Sequence, residues 1–467
     1  MNRVPAARRP TAQAPTTGRI EPSALFGGRR LPRWLRTSAA LLVLCAAHAG
    51  HAAQDNDAVL VPLPVERARS LAPLLRTHDV ALVESNPNGS FKQLTLLTLV
   101  AARPDIVRDV ILHAERYPDF VRNLSSSQVS KNADGTFDHT FQVAYGFVGF
   151  SARNRFAELP APTAGPPGTP AFDNALGPDD APSIEIFDPN PAAYGNRHLR
   201  FDFYAAGGGT VLAVYAYTNL PSSLDFVRRF LTVSPLFEHG IAITTALTFA
   251  LSVRGRAEQQ AGSPGVILPA ARSVSYDFLL DRGTVALFRS QQGRLHETSL
   301  ITRSTAGKET VLDAVRQTSR WQESIPIIGR SVELLGNDAQ SFADLQLSLP
   351  LSSFQTRYAL RALAYSVDLL GISGDLIGSR LRWDVQGLAA MSDSTATPST
   401  AGSPSSPPML SKLILRGQAQ LDRSSLVLRQ LYRIEPLMEY GVNLSIYLVL
   451  LHGLRSAAER SVLSAAR

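Results

Sequence analysis

Leu74-Leu75-Arg76-Thr77-His78-Asp79-Val80-Ala81-Leu82-Val83-Glu84-Ser85 returns 205 residues later as Leu279-Leu280-Asp281-Arg282-Gly283-Thr284-Val285-Ala286-Leu287-Phe288-Arg289-Ser290. The leucine pair, the Val-Ala-Leu run and the closing serine recur in place. Self-similarity at a long, fixed spacing marks a duplicated structural unit. Upstream, Leu63-Pro64 recurs as Leu268-Pro269 at the same offset. Downstream the offset is 204: Arg116-Tyr117 meets Arg320-Trp321, Gln142 meets Gln346, Phe150 meets Phe354 and Arg153 meets Arg357. Leu199-Arg200-Phe201-Asp202 then meets Leu381-Arg382-Trp383-Asp384 at an offset of 182. Ser234-Pro235-Leu236-Phe237-Glu238-His239-Gly240 meets Glu435-Pro436-Leu437-Met438-Glu439-Tyr440-Gly441 at 201.

The changes of offset locate the insertions. Repeat 1 carries 22 extra residues between Phe156 and His198, where 159–196 is rich in Pro, Gly, Ala and Asp and reads as a loop. Repeat 2 carries 19 extra residues, placed in the Ser/Thr/Pro/Gly tract 391–408, which reads as disordered. The organisation expected is an N-terminal extension over 1–53, a first domain over 54–262 and a second over 263–467.

Inside one unit, 80–85 and 91–100 read as strands around the turn sequence Asn86-Pro87-Asn88-Gly89. Pro104 opens a helix whose Ile106, Val107, Val110 and Ile111 share a face, and Tyr117-Pro118-Asp119-Phe120 follows as a turn with aromatic anchors. From Phe137 the pattern alternates. Phe137, His139, Phe141, Val143 and Tyr145 lie on one face and Asp138, Thr140, Gln142 and Ala144 on the other. In repeat 2 the first of these faces reads Ser341, Ala343, Leu345, Leu347, Leu349, so it is the inward one. Strands near 199–204 and 210–220 come next. A long helix closes the unit, with Ser234 as a candidate N-cap, Pro235 in the first turn and no charge from 240 to 253. Fourteen residues fall short of the roughly 20 that span a bilayer, which favours a buried core helix over membrane contact.

The chain is α+β, and this order resembles the START-like superfamily, also called the SRPBCC or helix-grip group, in two tandem copies. The resemblance rests on Arg103-Pro104-x2-Val107-x2-Val110-x6-Tyr117-Pro118-x-Phe120, the strands after it and the terminal helix, and in repeat 2 on Leu280-x2-Gly283-x-Val285-x-Leu287-x-Arg289. Lys308 replaces the helix-opening proline there. The group includes lipid-transfer domains, polyketide cyclases and coenzyme-Q-binding proteins. The resemblance implies a curved antiparallel sheet wrapped on a long C-terminal helix, with an apolar ligand between them: a lipid, quinone or polyketide-like molecule.

On that basis the ligand-binding candidates on the alternating strand are Phe137, His139, Phe141, Val143 and Tyr145. Phe201 and Phe203 join them from a later strand, and Phe237, Ile241 and Thr244 from the long helix. His139 and Tyr145 are the candidates for a catalytic role. Matched Arg153 and Arg357, and the pairs Arg200/Asp202 and Arg382/Asp384 two apart on a strand, read as structural ion pairs on the outer face. Glu238 and Glu439 suit a helix's first turn, where a carboxylate favours the dipole.

Composition limits the rest. The formal net charge of +7 belongs entirely to residues 1–53, with eight Arg and one Glu; the remainder balances to zero. Nucleic acid is therefore not an expected partner. No G-x-S-x-G, P-loop or H-E-x-x-H occurs, the seven His beyond residue 53 are scattered singly, and neither a metal nor a cofactor is expected. A basic stretch ending at Arg36, an apolar run over 39–47 and small residues ending at Ala49 or Ala53 read as a signal peptide for an exported, periplasmic or secreted protein. The one cysteine, Cys45, lies inside that run. The first expectation for function is binding or carriage of a hydrophobic small molecule or lipid, with transient membrane contact possible. The alternatives are an enzyme of the cyclase/aromatase kind and a structural module whose cavities have closed.

Overall fold

The computed structural model describes residues 60–86, 90–122, 124–145, 148–159, 179–188, 197–218, 232–262, 265–268, 274–291, 294–335, 341–349, 352–388, 410–418 and 438–465. The signal-peptide region and the tract 391–408 lie outside the described residues.

Repeat 1 opens with two short helices, α1 (Val65–Ser70) and α2 (Ala72–Leu75), and the hairpin β1 (Asp79–Ser85) and β2 (Phe91–Val100). Helix α3 (Pro104–Leu112) and a 3₁₀ turn (Ala114–Asp119) follow. Strands β3 (Leu124–Lys131), β4 (Phe137–Tyr145), β5 (Val148–Glu158), β6 (Ala181–Phe187), β7 (Arg197–Ala206) and β8 (Gly209–Thr218) lead to the long helix α4 (Leu236–Ala261). Repeat 2 retraces this order: α5 (Asp277–Leu280), β9 (Thr284–Gln291), β10 (Arg294–Ser304), α6 (Lys308–Arg316), α7 (Trp321–Ser324), β11 (Ile328–Leu335), β12 (Ser341–Leu349), β13 (Ser352–Ala362), β14 (Ser366–Gly374), β15 (Arg380–Gly387), β16 (Ser411–Gln418) and α8 (Met438–Ala465).

Within repeat 1 the strands lie side by side as β1-β2-β8-β7-β6-β5-β4-β3, and repeat 2 has the same order, β9-β10-β16-β15-β14-β13-β12-β11. Antiparallel pairing of β1 with β9 joins them into one sheet of 16 strands. Ala81 pairs with Ala286, its own counterpart in the duplication, so the halves are related by a pseudo-twofold axis through that pair. Both faces of the seam are covered, which explains why Val80-Ala81-Leu82-Val83 is apolar without alternation. Ala81 and Val83 face the long helices. Val80 and Leu82 pack under Leu63, Val65, Leu71 and Leu75 of the N-terminal segment and under Leu279 and Leu280.

The long helices meet at a crossing of small residues. A Cβ on Gly240 would lie 1.7 Å from Ser445 Oγ, and one on Gly441 would lie 2.3 Å from Thr244 Oγ1. Thr244 and Ser445 are equivalent in the duplication, and each donates its hydroxyl to the carbonyl four residues back, on Gly240 and on Gly441, at 2.8 Å. Further along α4, Asp79 accepts from Thr98 at 2.6 Å and from Arg254 at 3.0 Å, tying the helix to the hairpin. The core runs through both halves without a break.

Two expectations change. The stretch 159–196 is not a loop throughout, because Ala181–Phe187 forms β6 between β5 and β7. Its Ile184 and Ile186 are buried, and Pro182 falls where the β6–β7 register shifts, a position that tolerates a missing N–H. A breaker-rich composition had hidden a short strand. The second change is length: α4 has 26 residues, because its charged C-terminal turns continue the helix to the left-handed cap at Gly262 (φ 69°). That helix is long and apolar enough to cross a membrane, but here it lies against β2, β8 and α3 with α8 across it.

Candidate functional site

Strand β4 alternates as its sequence requires. The buried carboxylate of Asp138 turns outward to Arg153 at 2.5 Å and Arg155 at 2.8 Å, and the Arg155 guanidinium, helped by Arg153, holds its pKa down at about 2. Arg357 pairs with Asp344 in the same way. Arg200 with Asp202 and Arg382 with Asp384 form ion pairs at 2.8 and 3.0 Å. These matched arginines belong to the outer face.

The opposite face of β4 builds an aromatic box around His139. Its imidazole stacks on Phe141, with centroids 4.8 Å apart, and meets Tyr117 and Phe156 edge-on at 5.4 and 5.6 Å. Phe137 stacks on Phe156 at 4.7 Å, as the β4–β5 register dictates. Phe249 of α4 bridges Tyr117 and Phe201. Tyr117 is fixed by donating its hydroxyl to the Ile111 carbonyl at 2.5 Å.

His139 is 2% exposed. Its Nε2 lies 2.7 Å from Ser127 Oγ, and Ser127 donates its one proton to the Ala114 carbonyl at 2.5 Å. Ser127 can therefore only accept from the imidazole, which places the proton on Nε2 and leaves Nδ1 a bare acceptor. Nδ1 has no partner among the described residues. Burial pushes the imidazole pKa down to about 4, outweighing the opposite pull of Glu115, so the ring is neutral at pH 7. In repeat 2 Ser331 makes the same bond to the Thr318 carbonyl, but Ala343 stands where His139 would be. The serine tether is thus common scaffold, and the imidazole is particular to repeat 1.

The helix face opposite the box also differs between the halves. In repeat 1 Thr245 is exposed and Phe249 and Ser252 are half-buried. Their counterparts Ile446, Leu450 and Gly453 are buried, and α7 closes on Gly453 so tightly that a Cβ there would lie 2.8 Å from Ile325. Phe137 and Phe141 are half-buried as well, so repeat 1 keeps open apolar surface on its inner side.

Of the sequence candidates, the structure brings Phe137, His139, Phe141 and Phe201 together. Phe203 and Phe237 are buried in the same core. Thr244 is elsewhere: it seats Gly441 at the helix crossing, because a residue four after a glycine shares its helix face. The side chains of Val143, Tyr145, Ile241 and Glu439 lie outside the described residues. Sequence reasoning missed Phe156 and Phe249, and did not assign Tyr117 to the site. Phe156 follows only from the cross-strand register, and Phe249 only from the side of the uncharged helix that meets repeat 1. Among the described residues no group of three or more His, Cys, Asp or Glu could hold a metal ion.

No family model and no curated protein matches the chain. Among solved structures it is similar to the di-domain ARO/CYC StfQ from the steffimycin biosynthetic pathway, at 12% identity over 79% of this chain and 99% of that one, with a TM-score of 0.24. A START superfamily protein from Mycobacterium smegmatis matches at 16% identity over 33% of this chain and 97% of that one, TM-score 0.22. A STAR-related lipid transfer protein from Xanthomonas axonopodis matches at 12% over 37% and 93%, TM-score 0.23. Scores this low carry no weight for function. The assignment rests on strand order and on the helix that each half-sheet grips. The chain is an α+β protein of two tandem helix-grip units. That architecture is the START-like, or SRPBCC, fold.

Proposed function

We propose that repeat 1 binds or carries a hydrophobic small molecule of lipid, quinone or polyketide-like character. The molecule sits against the aromatic box and α4 and donates one hydrogen bond to His139 Nδ1. The observation that carries this reading is that buried, unpartnered acceptor. Leaving such an atom unmade costs on the order of 1–3 kcal/mol, which a ligand hydroxyl would recover. Largely apolar walls with one placed polar group are what small-molecule sites share. A cyclase/aromatase role is the alternative. An imidazole whose pKa is about 4 is a weak general base at pH 7, which favours holding a ligand over abstracting its proton. Export, and ligand exchange at a membrane surface, belong to the same proposal.

Native mass spectrometry of the protein from its source cells, prepared without detergent, tests the reading. The expected result is an added mass that denaturation releases, on a chain beginning near Gly50 or Gln54. His139→Phe keeps the ring and the volume but not the acceptor, and should lower occupancy at least tenfold. A clean ligand-free mass in both proteins would move the weight to a structural module.

A further inference from the structure

The outer face of repeat 2, from β11 to β16, carries a charge that repeat 1 lacks. Arg330, Arg357, Arg361, Arg380, Arg382 and Arg416 stand there with Asp344, Asp368 and Asp384. Strand register fixes the equivalent positions. Arg330 pairs with Gln346 as Ser126 pairs with Gln142, and Arg361 with Asp368 as Ala157 with Glu185. Leu370 pairs with Arg380 as Phe187 with His198, and Arg382 with Arg416 as Arg200 with Tyr215. Repeat 1 also has three carboxylates on this face, Asp138, Glu185 and Asp202, but balances them with three arginines, Arg153, Arg155 and Arg200. Six arginines against three aspartates leave repeat 2 with +3, although residues 54–467 as a whole sum to zero.

Five of these arginines are exposed and Arg416 is half-buried. Arg357 is tied to Asp344 at 2.6 Å, Arg382 to Asp384 at 3.0 Å, and Arg416 also to Asp384. Arg330, Arg361 and Arg380 have no ion-pair partner among the described residues. Two aliphatic side chains lie among them. Leu370, between Ala359 and Arg380 on the neighbouring strands, is 41% exposed, and Ile372, the extra residue of the bulge after it, is 39% exposed. In repeat 1 the N-terminal segment packs on this side of the sheet: Tyr215, where Arg416 stands, is buried and accepts from the Leu63 N–H at 3.1 Å. In repeat 2 the short α5 packs on β9 and β10. Unpaired guanidiniums around exposed aliphatics match phosphate anions over hydrocarbon. The planar fork of arginine suits phosphate, and an aliphatic tip reaches below the headgroups. Two aliphatics are too few for the apolar centre that a protein interface needs.

We propose that this face of repeat 2 docks on a membrane surface of anionic phospholipid, with Arg330, Arg361 and Arg380 on the phosphates and Leu370 and Ile372 below the headgroups. The proposal rests on the reading that ligand is exchanged at a membrane, and it names the docking surface. It is measured without ligand, so it can fail while repeat 1 still binds its ligand. Co-sedimentation with vesicles of equal parts phosphatidylglycerol and phosphatidylcholine tests it, on protein from the source cells. The parent should bind these vesicles and not pure phosphatidylcholine, and more weakly as salt rises. Arg361→Ala and Arg380→His install the residues of repeat 1 at exposed, unpaired sites and should leave the melting temperature unchanged. Each should weaken partition about fivefold, which is about 1 kcal/mol per arginine at an anionic surface. Lys131→Gln, exposed on β3 of repeat 1, removes the same charge elsewhere and should change nothing. In Leu370→Trp the new indole fluorescence should shift to the blue on anionic vesicles, and in Phe187→Trp, at the same place in repeat 1, it should not. Residues 1–53 are common to all these proteins, so the differences do not depend on them. Equal partition of the parent and the double variant Arg361→Ala/Arg380→His overturns the proposal, as does an unshifted indole in Leu370→Trp. A parent that ignores anionic vesicles also overturns it, and assigns the arginines to an acidic protein partner.

Discussion

Gly240→Ala will shift the denaturation midpoint far below that of the parent protein, with a loss of about 3 kcal/mol, the upper range for overpacking. The added Cβ would meet Ser445 Oγ at 1.7 Å, Cβ at 2.8 Å and Cα at 3.0 Å, so rotating the serine cannot clear it and the helices must part. Gly441→Ala should cost less, about 1–2 kcal/mol, since it meets only side-chain atoms of Thr244. Gly255 lies in the same helix with nothing within 4 Å, and Gly255→Ala should stabilise by about 0.5–1 kcal/mol. The double variant Gly240→Ala/Ser445→Gly should regain part of the loss, a coupling that marks direct contact. Equal effects at Gly240 and Gly255 in urea titrations would show that the helices do not cross there.

Acidification will destabilise the protein well above the carboxylate range. Burial pushes His139 and His239 down to about 4, and His452, beside Arg455, down to about 3. His239 is wholly buried against Phe91, with Nε2 3.1 Å from Ser85 Oγ. In the unfolded chain these rings titrate near pH 6.5, so below that pH the unfolded state binds more protons. Their contribution is complete above pH 6.5 and is lost as pH falls towards the folded values. At pH 5, His139 and His239 should each have lost about 2 kcal/mol, and His452 acts in the same direction. Asp138, held near 2, loses its contribution only below about pH 4 and does not enter this window. Urea midpoints at pH 7 and pH 5 measure the loss. His239→Gln should flatten the dependence by close to one proton, and a midpoint unchanged between the two pH values would refute the assignment.

Much of the architecture was legible because duplication and alternation are linear properties. The matched landmarks located both copies. The β4 pattern separated His139 and its neighbours from Asp138. The pairs Arg200/Asp202 and Arg382/Asp384 announced an outer face. Strand β6 was not legible, since seven residues bearing a proline inside a Gly/Pro-rich stretch give too short a period to stand out. Thr244 was misplaced because a helix apolar on all sides does not say which face meets a ligand and which meets another helix.

By itself, the sequence determined that one α+β unit is written twice, which strand face turns inward, and that an imidazole stands on that face in repeat 1 alone. These follow from chemistry repeated at regular spacing along the chain. Only the tertiary structure decided that β1 and β9 fuse the halves into one sheet, that Ser127 dictates the tautomer of His139, and that Gly240 and Gly441 let the two long helices cross closely. Each of those depends on strand register and helix rotation, which bring together residues 12 positions apart in one case and 205 in another and leave no periodic trace in the order of amino acids.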